Sequence, residues 1–207
     1  MPSRVYLAYG SNLHPRRLEE RVGAVESMAA VRLTGWSLRF DKRGGDGSAK
    51  ANLRAAPDTG HVAFAAAYRL RRDQVRLLDA FEGWGHGYET LPIAVRLDGE
   101  EVQAFTYLAP TQWLSEDLLP FDWYVDLIVA GARFHRFDKS YVRQIAAQPA
   151  KRDRDLHRAT RELSEMNLAL HPTTKGDADH ILVCVRLCAS VKVTLISSFS
   201  SAFESEH

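Results

Sequence analysis

A chain of 207 residues, 45% hydrophobic and 26% charged, is long enough to bury one sizeable core and has the balance of an ordinary globular protein. Its formal net charge of +1 excludes a whole-chain field that would draw it to nucleic acid or to an acidic membrane. Two cysteines, Cys184 and Cys188, cannot build a disulfide framework, so a cytoplasmic, reducing compartment is expected.

Residues 4–8 form a short, nearly continuous apolar run, the pattern of a strand buried on both faces. The start of the chain lacks the basic, apolar and cleavage regions of a signal peptide. Gly10-Ser11-Asn12 is a turn cluster, and Pro15 then opens a helix read over residues 16–28. Residues 31–40 read as one strand whose apolar phase slips at Gly35, which suggests a bulge. The glycine-rich stretch 42–50 reads as a loop, and residues 51–55 as a short strand closing it. Residues 62–70 alternate as a half-buried strand does, and 72–81 have helical spacing ended by the glycines from Gly83 onward. Asp98-Gly99 between residues 91–97 and 101–108 is a hairpin signal. Helices follow over 121–134 and 138–148, the second with Asp138 as N-cap.

Beyond Pro149 the texture changes. Residues 151–155 are a charge run expected to be solvated and a candidate boundary, which divides the chain into a domain at 1–150 and an extension at 151–207. Leu156, Ala159, Leu163, Met166 and Leu170 share a helical stripe, read as packing on its own chain rather than as a dimer seam; a homodimer stays open as a partner. Residues 181–198 are β-like, but Arg186 and Lys192 make this run a poor membrane span. Short strands, a bulge and a tight hairpin together favour an α+β fold, a small mixed β-barrel or strongly curved sheet with flanking helices.

Glu82 is the most informative residue for chemistry. Val75, Leu78 and Glu82 are spaced i, i+3, i+7, so on a helix the carboxylate shares a stripe with two core residues. Burial and the negative end of the helix dipole would both raise its pKa and suit it to accept a proton near neutrality. Phe81 and Trp84 flank it. The alternatives are that Glu82 turns outward at the helix end or pairs with an arginine. In Tyr9-Gly10-Ser11-Asn12, backbone N–H groups ahead of a helix can hold an anion, and Gly10 allows close approach. The plain alternative is a strand–helix turn with Asn12 or His14 as N-cap. Arg16, Arg17, Glu19, Glu20 and Arg21 read as a solvated helix face. Cys184 and Cys188 lack a paired metal-ligand motif, so no metal site is expected.

The order of these features resembles the γ-glutamylcyclotransferases. The run 5–13, Val-Tyr-Leu-Ala-Tyr-Gly-Ser-Asn-Leu, is similar to that family's signature. The segment Leu78-Asp79-Ala80-Phe81-Glu82-Gly83, followed by Gly87-Tyr88, looks like the one that carries its catalytic glutamate. Phe40, Gly47 and Ala51-Asn52-Leu53 fit the intervening region, and Phe105, Tyr107-Leu108 and Tyr124 fit the end of the domain, so the likeness covers about residues 4–150.

The resemblance implies a mixed barrel fold, no metal or organic cofactor, and a small γ-glutamyl compound split into 5-oxoproline and an amine or amino acid. It implies Glu82 as the catalytic base, with Tyr6, Leu7, Ala8, Tyr9, Gly10, Ser11, Asn12, Tyr88 and Tyr124 around the substrate. The Gly-Ser-Asn turn resembles the branch acting on γ-glutamyl amino acids more than the glutathione-degrading branch. Two other functions compete: removal of a γ-glutamyl protecting group from a specialised metabolite, and non-catalytic binding of a γ-glutamyl metabolite.

Overall fold

The computed structural model describes residues 3–57 and 60–164. Seven strands and five helices follow in the order β1 (Ser3–Ala8), α1 (Pro15–Val22), β2 (Glu26–Thr34), β3 (Trp36–Arg43), β4 (Ala49–Ala55), β5 (Val62–Arg71), α2 (Arg72–Glu82), β6 (Glu89–Leu97), β7 (Glu100–Leu108), α3 (Asp122–Phe134), α4 (Lys139–Ala146) and α5 (Leu156–Ser164). A 3-10 turn at Ser11–Leu13 links β1 to α1.

Five strands form one sheet in the order β2-β5-β1-β7-β6, and β3 with β4 forms a separate ribbon. Among the described strands the pairings are antiparallel except β1 with β7, where Val5 lies opposite Ala104 and Tyr6 opposite Phe105. The edge strands β2 and β6 approach each other, so the sheet is curled into a half-barrel with flanking helices, an α+β architecture. β1 is the middle strand. Its residues Leu7 and Ala8 are fully buried, and the chain leaves its C-terminal end inside the curl.

Glycines set two of the turns that the sequence reading placed differently. The helix expected over 16–28 stops at Val22, because Gly23 takes φ +79° and Gly23 N–H closes the helix on the Glu19 carbonyl at 2.7 Å. Residues 26–34 are therefore strand β2. The single bulged strand expected over 31–40 is two strands in two sheets. Gly35, at φ +80°, is the corner between β2 and β3, and a phase slip in sequence is equally the mark of a bulge or of a change of sheet. The stretch read as a loop at 42–50 is mostly hairpin: β3 runs to Arg43, β4 begins at Ala49, and Gly44 N–H bonds the Ser48 carbonyl at 2.8 Å. The Asp98-Gly99 hairpin forms with both residues at positive φ, 51° and 86°, as a primed turn requires. Asp138 caps α4 by accepting from the Ser140 N–H at 2.7 Å.

Strand β5 shows why alternation weakens at the centre of a curled sheet. Ala65, Ala66, Ala67 and Tyr68 are all buried, since both faces of this inner strand are covered, and alanine fits the tight concave side. Helix α3 packs on the 3-10 turn, on α4 and on α5. It comes close to the turn because residue 131 is glycine: a Cβ there would collide with Leu13 Cβ and stand 2.8 Å from the His14 backbone nitrogen. His135, just past α3, and Tyr68 of β5 both hydrogen-bond around the Leu13 carbonyl, at 2.8 and 2.5 Å. The turn is thus pinned from two sides.

Past residue 150 the chain stays in contact with what precedes it. Lys151 bridges to Phe121, and Ala159 and Leu163 of α5 are buried. Asp153 is not part of a solvated run. Its carboxylate is buried and accepts from Trp123 Nε1 at 2.9 Å and from Arg158 Nη2 at 2.6 Å. Met166, Leu170, the cysteines and the β-like run 181–198 lie outside the described residues. No helix among the described residues is long and apolar enough to cross a membrane.

Candidate active site

One cavity opens at the C-terminal end of β1. Tyr6, Tyr9, Gly10, Ser11, Asn12, Ala51, Glu82, Tyr88, Tyr107 and Tyr124 line it, and it is partly open to solvent. Several elements each deliver a residue here. Tyr107 comes from β7, Glu82 from the last position of α2, Tyr124 from the first turn of α3, and Tyr88 from just before β6.

A further wall is the open edge of the β3–β4 ribbon. A strand edge presents unpaired N–H and C=O groups that must find partners when buried. At Ala51 two tyrosines supply them: Tyr124 Oη accepts from the Ala51 N–H at 3.1 Å, and Tyr88 Oη donates to the Ala51 carbonyl at 2.8 Å. Gly10 faces this edge closely; a Cβ on it would stand 3.1 Å from Ala51 Cβ and 3.7 Å from Tyr124 Oη. In the 3-10 turn, Leu13 N–H bonds the Gly10 carbonyl at 3.0 Å. The N–H groups at the head of such a turn have no acceptor within it. His14, not Asn12, caps α1, its Nδ1 accepting from the Arg16 N–H at 3.2 Å.

Asn12 is free of capping duty and serves the cavity instead. Its Nδ2 donates to Glu82 Oε1 at 2.7 Å and to Tyr6 Oη at 3.3 Å, while its Oδ1 accepts from Arg21 Nη1 at 2.7 Å. Arg21 Nη1 also stands 3.6 Å from Glu82 Oε1. Tyr9 donates to the Tyr107 carbonyl and Tyr107 to Asp79 Oδ1, both at 2.6 Å.

The electrostatics of Glu82 are a contest. Its side chain is only 15% exposed, and this burial pushes the carboxyl pKa above the usual value; the Arg21 charge, the Asn12 hydrogen bond, Lys42 and Arg17 pull against it, and burial wins. Gly83, at φ +63°, ends α2 directly after Glu82, so the carboxylate is carried on the negative end of the helix. Burial and the neighbouring Glu82 raise Tyr6 and Tyr9; burial raises Tyr124 to about 12. All three are neutral hydrogen-bonding groups at ordinary pH. Lys42, half-buried, is lowered by loss of hydration and lies over the Tyr88 ring at 4.8 Å.

The structure brings Tyr6, Tyr9, Gly10, Ser11, Asn12, Glu82, Tyr88 and Tyr124 to one place. Leu7 and Ala8 differ: their side chains are fully buried in the core and do not reach the cavity wall. Val75 and Leu78 are buried on the stripe that ends at Glu82, but Phe81 and Trp84 are 59% and 56% exposed, and the carboxylate instead meets Asn12 of the 3-10 turn and Arg21 of α1. The arginine pairing considered for Glu82 is also present, through Arg21. Ala51, Arg21 and the cavity position of Tyr107 escaped the sequence reading. The charge pattern of α1 predicts a solvated face for both Arg21 and Arg17, yet Arg17 is 4% exposed and paired with Glu162 at 2.5 Å. Among the described residues no group of three His, Cys, Asp or Glu side chains converges to hold a metal ion.

No curated protein sequence matches this one significantly. Among solved structures, a gamma-glutamyl cyclotransferase and an uncharacterised human protein are each 21% identical, with 78% of this chain and 99% of theirs covered at a TM-score of 0.66. YkqA from Bacillus subtilis is 18% identical over 73% of this chain and 57% of its own, at a TM-score of 0.61. At these identities the likeness is one of fold. The sequence profile described as gamma-glutamyl cyclotransferase, AIG2-like, matches residues 6–125, which is more than half of the chain and includes every residue on the cavity wall. The chain belongs to that γ-glutamyl cyclotransferase family.

Proposed function

We propose that the protein releases 5-oxoproline from small γ-glutamyl compounds and that Glu82 is the base. The observation that carries this reading is a mostly buried carboxylate on the cavity wall, held by Asn12 of the same backbone turn whose N–H groups border the cavity, with burial raising its pKa. In the reaction, the substrate α-amine forms a bond to its own γ-carbonyl carbon, closing a five-membered ring. The bond from that carbon to the leaving nitrogen then breaks. The α-ammonium gives up two protons in becoming the lactam N–H. Glu82 takes the first to free the amine and returns it to the leaving nitrogen as the C–N bond breaks. The second, shed by the ring nitrogen after attack, passes to the released amine, which departs as an ammonium while Glu82 ends ionised as it began.

Little else is demanded of the protein beyond holding a folded conformer with nucleophile and carbonyl in contact. The N–H groups of Ser11 and Asn12 suit the substrate carboxylate or the oxyanion that develops during attack. Tyr6, Tyr88 and Tyr124 supply neutral hydroxyls and flat apolar walls around the glutamyl chain. Leaving groups on this reading are amino acids or amines, in keeping with the Gly10-Ser11-Asn12 turn.

The test is 5-oxoproline release from a panel of γ-glutamyl amino acids, γ-glutamylamines and glutathione, with Glu82→Gln alongside. Release by the wild type and its loss in Glu82→Gln is the expected result. Near-normal release by Glu82→Gln would remove Glu82 from the role of base. Tight binding of 5-oxoproline with no turnover of any panel member would replace an enzyme by a binding module.

A further inference from the structure

Arg21 lies in the last turn of α1, where a basic residue usually faces water beside the helix C-terminus. Here its side chain is 19% exposed and its guanidinium lies between the exposed Phe81 ring, 5.5 Å away, and Asn12. We infer that Arg21 is a positioning residue that locks the Asn12 amide, so that the NH₂ end of that amide, and not its oxygen, meets the Glu82 carboxylate. This rests on the reading of Glu82 as the base.

The direction of the chain of contacts follows from donor and acceptor types. A guanidinium can only donate and an ionised carboxylate can only accept, whereas an amide has one end of each kind. Placed between the two, Asn12 has a single satisfactory orientation, with Oδ1 toward Arg21 at 2.7 Å and Nδ2 toward Glu82 at 2.7 Å. Asn12 is almost fully buried, so water cannot easily take the place of either partner. Removing the guanidinium leaves Oδ1 without its donor and removes the penalty for turning the amide over. A reversed amide sets oxygen against carboxylate and releases Glu82 from its place on the wall.

Charge acts in the same direction. Glu82 is faced by Arg21 and Arg17 from α1, by Lys42 from β3, and by Tyr6, Tyr9, Tyr88, Tyr107 and Tyr124. The tyrosines are neutral at ordinary pH. Arg21 is the strongest of the cations opposing the burial penalty, so its loss moves the Glu82 titration further upward. A base that must be ionised before it can take the ammonium proton then fails first at the acid end.

A double-mutant cycle with Arg21→Met, Asn12→Ala and the double variant tests this, reading kcat/KM against pH and the Glu82 carboxyl titration by ¹³C NMR, with the resonance identified by its absence in Glu82→Gln. In Arg21→Met the loss is expected in kcat more than in KM, about tenfold or more near pH 6 and smaller near pH 8. The Glu82 titration is expected to move upward. Near pH 8, where the direct charge effect of Arg21 fades, the double variant is expected to lose little beyond Asn12→Ala alone, because the two residues act as one unit. Arg21→Lys, which keeps a charged donor, should recover part of the loss. Losses that multiply in the double variant near pH 8, or a Glu82 titration unmoved in Arg21→Met, overturn the inference. If the wild type releases no 5-oxoproline, the reading of the reaction fails, and the NMR titration still decides whether Arg21 governs Glu82.

Discussion

Replacing Gly131 with alanine puts the packing of the cradle to a direct test. Alanine is the better helix former by about 1 kcal/mol, so propensity alone predicts a more stable protein. The structure predicts the reverse. A Cβ at 131 would collide with Leu13 Cβ and lie 2.8 Å from the His14 nitrogen and 3.0 Å from the Leu13 carbonyl carbon. Two of these are backbone atoms of a turn already held by Tyr68 and His135, so they cannot swing aside as a side-chain tip would. Overpacking of this kind costs about 1–3 kcal/mol, and the rigidity of the turn places this case at the upper end. The net loss is then about 2 kcal/mol, or about 4–8 °C in Tm at roughly 2–4 °C per kcal/mol for a chain of this size. Function should suffer more than stability. A shift of the Ser11–Asn12 turn by about 1 Å can cost about a hundredfold in rate when that turn positions the reacting group. Thermal melting and 5-oxoproline release on Gly131→Ala and wild type measure both. An unchanged or raised Tm with unchanged kcat/KM would show that α3 does not set the position of the turn.

Three other outcomes follow from the site and its supports. Glu82→Gln should raise Tm at neutral pH, because a buried carboxyl with a raised folded pKa contributes stability only below its unfolded pKa and loses it as pH rises through the folded value; an unchanged or lowered Tm at pH 7, with no gain relative to wild type as pH rises from 4 to 7, would contradict this. Asp153→Asn should destabilise by about 2 kcal/mol, since it places an uncharged amide where Arg158 and Trp123 both donate. Arg158 holds the Asp153 pKa down at about 2, so the wild type should lose this contribution as pH falls from about 4 toward 2, and acid titration of Asp153→Asn should be flatter in that window. Tyr124→Phe leaves the buried Ala51 N–H without its acceptor; a loss of about 1–3 kcal/mol by chemical denaturation and a weaker KM are expected, and an unchanged midpoint would place water at that N–H.

Much of this protein is legible in one sequence, for reasons that differ by element. The hairpin of β6 and β7 was readable because Asp98-Gly99 permits two consecutive positive φ values that most residue pairs resist. Glu82 was readable because Val75 and Leu78 fix its helical face and Gly83 marks the end of α2. What escaped depends on contacts between segments far apart in the chain. Arg21 has the sequence context of a surface arginine, and nothing within α1 reveals that Asn12 and Glu82 lie beside it. Ala51 contributes backbone alone, which no residue type advertises. Gly35 showed that something happens to the strand at that point without showing that the next strand joins another sheet. Leu7 and Ala8 share the signature with Tyr6 and Tyr9, but they belong to the core of β1, so membership of a motif is not proximity to the cavity.

The parallel pairing of β1 with β7 has a consequence for the order in which the molecule can be assembled. The strand that carries the start of the site is made first, yet one of its neighbours is residues 62–71 and the other residues 100–108. Closing a loop of that length has an entropic cost that is recovered only when the last partner docks. Ala51 likewise waits for Tyr124 before its amide is satisfied. A nascent chain therefore holds Tyr6 through Asn12 without a cavity until α3 has emerged, and a fragment ending before it has no reason to fold around them. Completion of the sheet and closure of the cavity are thus separate steps: β7 completes the sheet, and activity should wait for Tyr124 of α3.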